Sequence, residues 1–161
     1  MSECLDALVI GAGPAGLMAA EELARAGRRV VVAEAKPSPA RKFLMAGKSG
    51  LNLTKDEPLE RFLTAYAPGW LAPMLREFGP EAVQDWCRGL GQEVFTGSSG
   101  RVFPVAMKAS PLLRSWLVRL GGLGVELRTR WRWAGFAGDG LRFETPEGER
   151  VLRPSVTVLA L

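Results

Sequence analysis

Three glycines and one acid carry the first recognisable chemistry in this chain. Gly11, Gly13 and Gly16 stand in the run Gly-Ala-Gly-Pro-Ala-Gly, and Glu34 follows 23 residues after Gly11. In a G-x-G-x-x-G turn the first glycine permits a tight turn off a strand. The second lets an anion approach the backbone, and the third lets a helix pack near a sheet. Pro14 suits the first helical position, where its missing N–H costs nothing, and Ala15 and Gly16 complete that first turn. The free N–H groups of such a helix start favour a phosphate. A carboxylate at Glu34 suits the two hydroxyls of an adenosine ribose, and its charge repels a 2′-phosphate.

The elements that must position these residues are all legible. Leu5 and Ala7 to Ile10 form an apolar run that stops at the glycines, and Ala15 to Ala26 has a helical pattern that Gly27 ends. Val30 to Ala33 is a second apolar run closing on Glu34. Glycines alone are only turn chemistry. Strand, turn, helix, strand and acid in this order make the fingerprint of an adenine dinucleotide site. Ala35 and Lys36, directly after the acid, are counted with it as contacts. The fingerprint does not separate FAD from NAD.

Composition narrows the function classes. The chain has 161 residues, 47% of them hydrophobic, and a net charge of +4, which suits one domain with a sizeable core. It contains no histidine, so histidine triads, histidine metal sites and histidine acid–base catalysis are excluded. Its two cysteines, Cys4 and Cys87, are far apart and outside any C-x-x-C motif, which fits a reducing, cytoplasmic compartment. Cys87 falls in a helical pattern with Val83, Trp86 and Leu90 and reads as a small buried apolar group. Glu3 and Asp6 precede the first apolar run, so it does not resemble an export signal. No apolar run reaches the ~18 residues of a membrane-spanning helix. The cations are spread along the chain, Arg28-Arg29 and Arg41-Lys42 being the longest basic runs, so nucleic acid is not expected as a partner.

After Lys36-Pro37-Ser38-Pro39, which reads as a turn, comes a basic loop with short helical character over 41–46. Arg41 and Lys42 suit phosphates. Gly47 and Gly50 suit backbone approach to a planar ring, and Ser49 and Asn52 suit hydrogen bonding. On local chemistry alone a cofactor-facing loop and a plain surface loop stand equal.

A resemblance separates them. Besides the fingerprint, residues Arg41 to Thr54, RKFLMAGKSGLNLT, match an R-K-x-L-x-x-(S/A)-G-(K/G)-(S/G)-(G/R)-x-N-x-T loop. A third block, Gly100-Arg101-Val102-Phe103-Pro104, is followed by Met107-Lys108-Ala109-Ser110-Pro111-Leu112-Leu113. In these three blocks the chain resembles the N-terminal part of a family of bacterial NAD(P)/FAD-dependent flavoprotein oxidoreductases, the aminoacetone-oxidase-like proteins among them. The G-K-S-G-L-N-L-T wording is similar to an uncharacterised subgroup. The resemblance covers essentially the whole chain. It implies FAD as cofactor, with NAD(P)H as a candidate electron donor, and a Rossmann-like three-layer β/β/α domain with a parallel sheet and an antiparallel meander. It also implies that Arg41, Lys42, Ser49, Gly50 and Asn52 lie on the cofactor side and the G-R-V-F-P block near the flavin and substrate. Several hundred further residues follow in that family, so the chain reads as an N-terminal portion.

The remaining pattern falls into place around these blocks. Three segments are expected: 1–56 with the fingerprint and loop, 57–108 as a helical insertion with a short hairpin, and 109–161 as a helix, third strand, meander and fourth strand. In the middle segment Leu59, Phe62, Leu63 and Tyr66 share a helical face, as do Trp70, Leu71, Met74, Leu75 and Phe78. Both faces are expected in the core. A short strand is expected over 92–95. Ser110 reads as an N-cap with Pro111 at the first helical position. Val125 to Arg130 reads as the third parallel strand. Trp131 to Phe136, Leu141 to Thr145 and Glu149 to Leu152 read as a separate three-stranded meander, and Val156 to Leu161 as a buried parallel strand. A free edge there would favour self-association through Leu159 and Leu161.

The sequence thus points to an FAD-binding oxidoreductase module in which no side chain is needed as catalytic acid, base or nucleophile. An NAD-binding dehydrogenase domain shares the fingerprint but would continue directly into further β-α units. A non-catalytic cofactor- or RNA-associated fragment would show a clustered basic face. The substrate is not written in these residues.

Overall fold

The computed structural model describes residues 4–46, 49–66 and 69–161. Two compact units are distinguished: 1–43 together with 117–161, and 44–116.

The first unit is built on β1 (Cys4–Ile10), β2 (Val30–Glu34) and β6 (Glu126–Thr129), which run parallel in the spatial order β6-β2-β1. Helix α1 (Pro14–Arg25) joins β1 to β2 and packs on both, as a crossover between parallel strands requires. Strands β1 and β2 are largely Val, Leu, Ile and Ala because both faces of a central parallel strand are covered, whereas β6, at the sheet edge, reads Glu-Leu-Arg-Thr. Ala7, Leu8, Val9 and Val32 are completely buried. Beyond β1 lies β9 (Gly148–Leu159), also parallel to it, followed by β8 (Gly140–Thr145) and β7 (Arg132–Ala137) in antiparallel pairing. Leu141, Phe143 and Leu152 from these outer strands form one core with Leu8, Ile10, Val31 and Ala33. The meander therefore covers one face of the parallel strands. The fold is Rossmann-like α/β with an antiparallel addition.

One expectation about these strands is corrected. The third meander strand and the final parallel strand are a single strand, β9. Its first part pairs with β8 up to Leu152, and from Arg153 it pairs with β1. Pro154, which reads locally as a break, sits just past that change of partner, where a missing backbone donor is tolerated. The end of β9 is also less buried than expected, with Val156 and Leu159 about half exposed.

In the second unit β3 (Thr54–Lys55), β5 (Arg101–Pro104) and β4 (Val94–Thr96) form a small antiparallel sheet in that order. The short strand thus lies slightly later than the expected 92–95. Around it are α3 (Leu59–Leu63), a 3-10 turn (Gly69–Leu71), α4 (Ala72–Glu77) and α5 (Pro80–Gly89). Helix α2 (Arg41–Ala46) and helix α6 (Ala109–Gly122) each run across the boundary between the units. Helix α6 begins at Ala109, two residues before the expected first position at Pro111, so Ser110 lies inside its first turn rather than at the cap. Trp116 of α6 is buried and meets Trp86 of α5 edge-on, with ring centroids 4.7 Å apart.

The aromatic faces of the middle segment are the second correction. Trp70 is 63% exposed, and Tyr66, Met74 and Phe78 are also exposed. Their companions on the two faces, Leu59, Phe62, Leu63, Leu71 and Leu75, are only partly buried, so both faces lie near the surface of the unit rather than in its core. Cys87 is fully buried as expected, and burial pushes its thiol from an ordinary 9.0 up to about 11.

Candidate functional site

The fingerprint turn lies at the carboxyl ends of β1, β2 and β9. Gly11 donates to the Ala33 carbonyl at 2.8 Å, and Ala160 donates to the Ile10 carbonyl at 2.8 Å. The turn is thereby held between the strands on either side of β1. The open side of such a sheet, beyond the strand carboxyl ends, is where ligands of doubly wound folds bind.

The three glycines do different work, and the structure separates them. Gly11 has φ +106, in the region only glycine enters freely, and a Cβ there would stand 2.8 Å from the Ala160 carbonyl carbon. A Cβ on Gly16 would collide with the Gly11 carbonyl oxygen. Both positions are closed by the protein's own backbone. A Cβ on Gly13 would meet nothing within 4 Å, and its backbone is extended, with φ −77 and ψ 179. Helix α1 starts directly after it, with Pro14 in its first turn, no side-chain cap and no acid there, and with Arg25 in its last turn. Pro14 and Ala15 are exposed. An uncapped helix start with that charge arrangement presents free N–H groups and a partial positive charge to an anion.

Glu34 ends β2, and both of its carboxylate oxygens are engaged. Oε2 accepts the Ala12 N–H at 3.0 Å and Oε1 accepts the Lys36 N–H at 2.8 Å. Each oxygen retains a further lone pair for a ligand hydroxyl. Ala12 is fully buried, and its carbonyl accepts the Ala40 N–H at 2.8 Å. Ala40 is buried with φ +53, an uncommon conformation for a residue with a Cβ. Ala12, Ala40 and Ala160 thus fix the turn although the sequence reading passed over them. Small size at Ala12 and Ala160 is a weak sign of close packing, and nothing local marks Ala40 for a positive φ.

The other proposed contacts fall in two places. Ala35, Lys36, Arg41 and Lys42 belong to the same unit as the fingerprint, and all four are exposed. Ser49, Gly50 and Asn52 belong to the second unit. There Leu51 donates to the Met107 carbonyl at 3.2 Å and Leu53 donates to the Val102 carbonyl at 2.9 Å. These bonds join the 41–54 loop to the G-R-V-F-P block, so the two motifs that lie about fifty residues apart in sequence meet in space. Ser49 and Asn52 are exposed, while Leu51 is buried. Gly47 lies outside the described residues. Among the described residues no group of three or more Cys, Asp or Glu side chains is placed to hold a metal. Among them, too, no helix is long and apolar enough to cross a membrane.

Fold and turn together define a Rossmann-like α/β domain with a glycine-rich strand-to-helix turn. The profile of the HI0933-like protein Rossmann domain matches residues 5–161, and the chain belongs to that family. No curated protein sequence matches it significantly. Among solved structures it is similar to a flavocytochrome c3 fumarate reductase in an open conformation, with TM-score 0.74 and 21% identity over 98% of this chain and 33% of that one. It is also similar to a 3-ketosteroid-delta4-(5alpha)-dehydrogenase of Rhodococcus jostii RHA1, with TM-score 0.67 and 19% identity over 97% of this chain and 45% of the other. A third is THI4 of Thermovibrio ammonificans, with TM-score 0.61 and 17% identity over 98% and 57% of the respective chains. At these identities the likeness is one of fold. The chain spans little more than half the length of even the best covered of the three.

Proposed function

We propose that this chain is the FAD-binding module of a flavoprotein oxidoreductase. The observation that carries the reading is the contrast among the glycines. Gly11 and Gly16 are filled by the protein itself, whereas Gly13 opens on empty space beside an uncapped helix start. That is the shape and polarity a pyrophosphate requires.

In this reading the Gly13 backbone and the first N–H groups of α1 hold the pyrophosphate. Glu34 accepts the adenosine ribose hydroxyls while staying fixed by Ala12 and Lys36. Ala35 and Lys36 line the same end, and Arg41 and Lys42 offset phosphate charge. Ser49, Gly50 and Asn52 face the cofactor by resemblance. Bound FAD supplies the hydride or electron transfer, so the protein's part is binding, orientation and tuning. The antiparallel strands between β6 and the end of β9 favour FAD over an NAD-dehydrogenase arrangement. The finer assignment is to the aminoacetone-oxidase-like bacterial flavoproteins, with a cytoplasmic setting and NAD(P)H as donor. It rests on the three motif blocks, with the wording of residues 47–54 similar to an uncharacterised subgroup, and for the compartment on the cysteine usage.

The test is the visible spectrum of the purified chain after incubation with FAD, and separately with FMN, followed by desalting. Retained flavin bands with FAD but not FMN are expected, together with saturable ADP binding. ADP binding without retained FAD would confine the reading to an adenosine diphosphate site. A chain that binds neither overturns it.

A further inference from the structure

We infer that Met107 is a positioning residue for the cofactor-facing loop Ser49–Asn52. The inference rests on the FAD reading for what that loop faces, and on geometry within one unit for the rest.

Three observations converge on this side chain. First, Met107 has φ +57, a conformation that glycine takes freely and that a methionine rarely adopts. It closes the turn that leaves β5, its N–H donating to the Pro104 carbonyl at 2.8 Å, and α6 begins two residues later at Ala109. The turn alone would be met as well by glycine or asparagine. Second, the Met107 carbonyl accepts the Leu51 N–H at 3.2 Å, which pins the middle of the loop by its backbone. Third, the Met107 methyl lies over Gly50. A Cβ on Gly50 would stand 2.8 Å from Met107 Cε and 3.7 Å from the Phe103 ring, and Gly50 itself has φ +123. The two positive-φ residues therefore fit one another: Gly50 leaves the space that the thioether fills.

The consequence lies in what flanks the contact. Ser49 and Asn52 on either side of Gly50-Leu51 are exposed, so the loop directs its polar side chains outward while buried Leu51 anchors it and the Met107 side chain, itself 38% exposed, caps Gly50. Strained backbone concentrates where a surrounding structure has to hold a functional loop in one form. Met107 acts through Gly50 and Leu51 and needs no contact of its own with the cofactor.

The test uses the full chain with Met107→Asn, which accepts a positive φ without glycine's freedom, and Met107→Leu, which restores apolar bulk over Gly50. Three quantities are read: thermal midpoint, exchange of the Leu51 amide by NMR, and the dissociation constants of ADP and FAD. For Met107→Asn the expected result is an unchanged or higher midpoint with Leu51 exchange about tenfold faster. FAD binding should weaken about tenfold while ADP binding is unchanged, and Met107→Leu should recover most of both losses. FAD binding equal to the parent's overturns the inference, as does a parallel loss of ADP and FAD. Failure of the parent to bind either ligand is failure of the FAD reading instead. Leu51 exchange then decides alone, faster exchange supporting Met107's hold on the loop and unchanged exchange overturning it.

Discussion

The Ala12 N–H donates to Glu34 Oε2 at 3.0 Å, so the acid that ends β2 is tied to the middle of the glycine turn that ends β1. Glu34 therefore holds the turn, and in the proposed reading it has a second task, offering its remaining lone pairs to a ribose. Glu34→Ala removes both. A hydrogen bond to a charged group contributes about 1.5–3 kcal/mol, so the variant should lose about tenfold or more in ADP affinity and also melt at a lower temperature. Glu34→Gln keeps one oxygen acceptor and loses the charge, and should fall between. Calorimetric titration with ADP gives the answer. Affinity equal to the parent's in Glu34→Ala would remove the ribose assignment.

Gly13 provides a cleaner separation of folding from binding. Its backbone is in a region any residue adopts, and its Cβ direction is open. Gly13→Ala should leave the thermal midpoint unchanged or raise it, by up to about 1 kcal/mol from the reduced freedom of the unfolded chain. It should nevertheless lose ADP binding, because the added methyl occupies the pyrophosphate path. Gly11→Ala and Gly16→Ala behave oppositely. Each forces a methyl into backbone, and the loss should be in folding, by several kcal/mol on the order of other overpacking changes. The pairing of thermal melts with ADP titrations distinguishes the three positions. A Gly13→Ala protein that binds ADP as the parent does is the result against the cradle.

The fingerprint was legible because each part leaves a local mark: an apolar run, a glycine that must turn, a helical period, a second run and an acid. The meeting of the 41–54 loop with the G-R-V-F-P block was implied only by resemblance. The bonds that make it, Leu51 to Met107 and Leu53 to Val102, are backbone bonds that no side-chain pattern reports. The continuity of β9 through Pro154 leaves no local mark, since proline is uncommon inside a strand. The exposed Tyr66, Trp70, Met74 and Phe78, from two helical faces, show the limit of periodicity, which says that residues share a side and not what that side meets. Ala40 and Met107 were missed for a third reason: neither residue type prefers the positive φ that the chain path imposes on it.

A buried carboxylate held by two arginines braces the helix whose start is the proposed pyrophosphate cradle. Glu21 of α1 is 1% exposed, and its Oε1 accepts from Arg25 Nη2 at 2.7 Å and from Arg119 Nη1 of α6 at 3.0 Å. Its hydrogen bond and its charge hold the Arg25 guanidinium more firmly protonated. Removing one partner of a buried pair leaves a charge with incomplete compensation, at a cost of about 3–5 kcal/mol when the pair is fully buried. Arg119→Met leaves Arg25 in place, so a loss nearer 1–3 kcal/mol is expected. Glu21→Leu combined with Arg119→Met should be more stable than the sum of the single losses predicts. A double-mutant cycle by urea unfolding measures this coupling, and strict additivity would show that the 3.0 Å contact contributes nothing.

Cys87 sets a pH dependence whose sign follows from its burial. Its thiol is raised from 9.0 to about 11 by desolvation, so the folded protein keeps the proton longer than the unfolded chain does. Between these two values the unfolded state binds fewer protons, and stability falls as pH rises. The contribution is fully present below about pH 9 and is lost by about pH 11, amounting to about 3 kcal/mol. Cys87→Ala should flatten that part of the alkaline stability profile relative to the parent, with both variants made in a Cys4→Ser background so that one thiol is followed. In that background a disulfide reagent at pH 8 should react with Cys87 only as fast as the chain opens, and rapidly in denaturant. Fast modification of the folded chain would show that the thiol is reachable, and the alkaline loss of stability would then have to come from other groups.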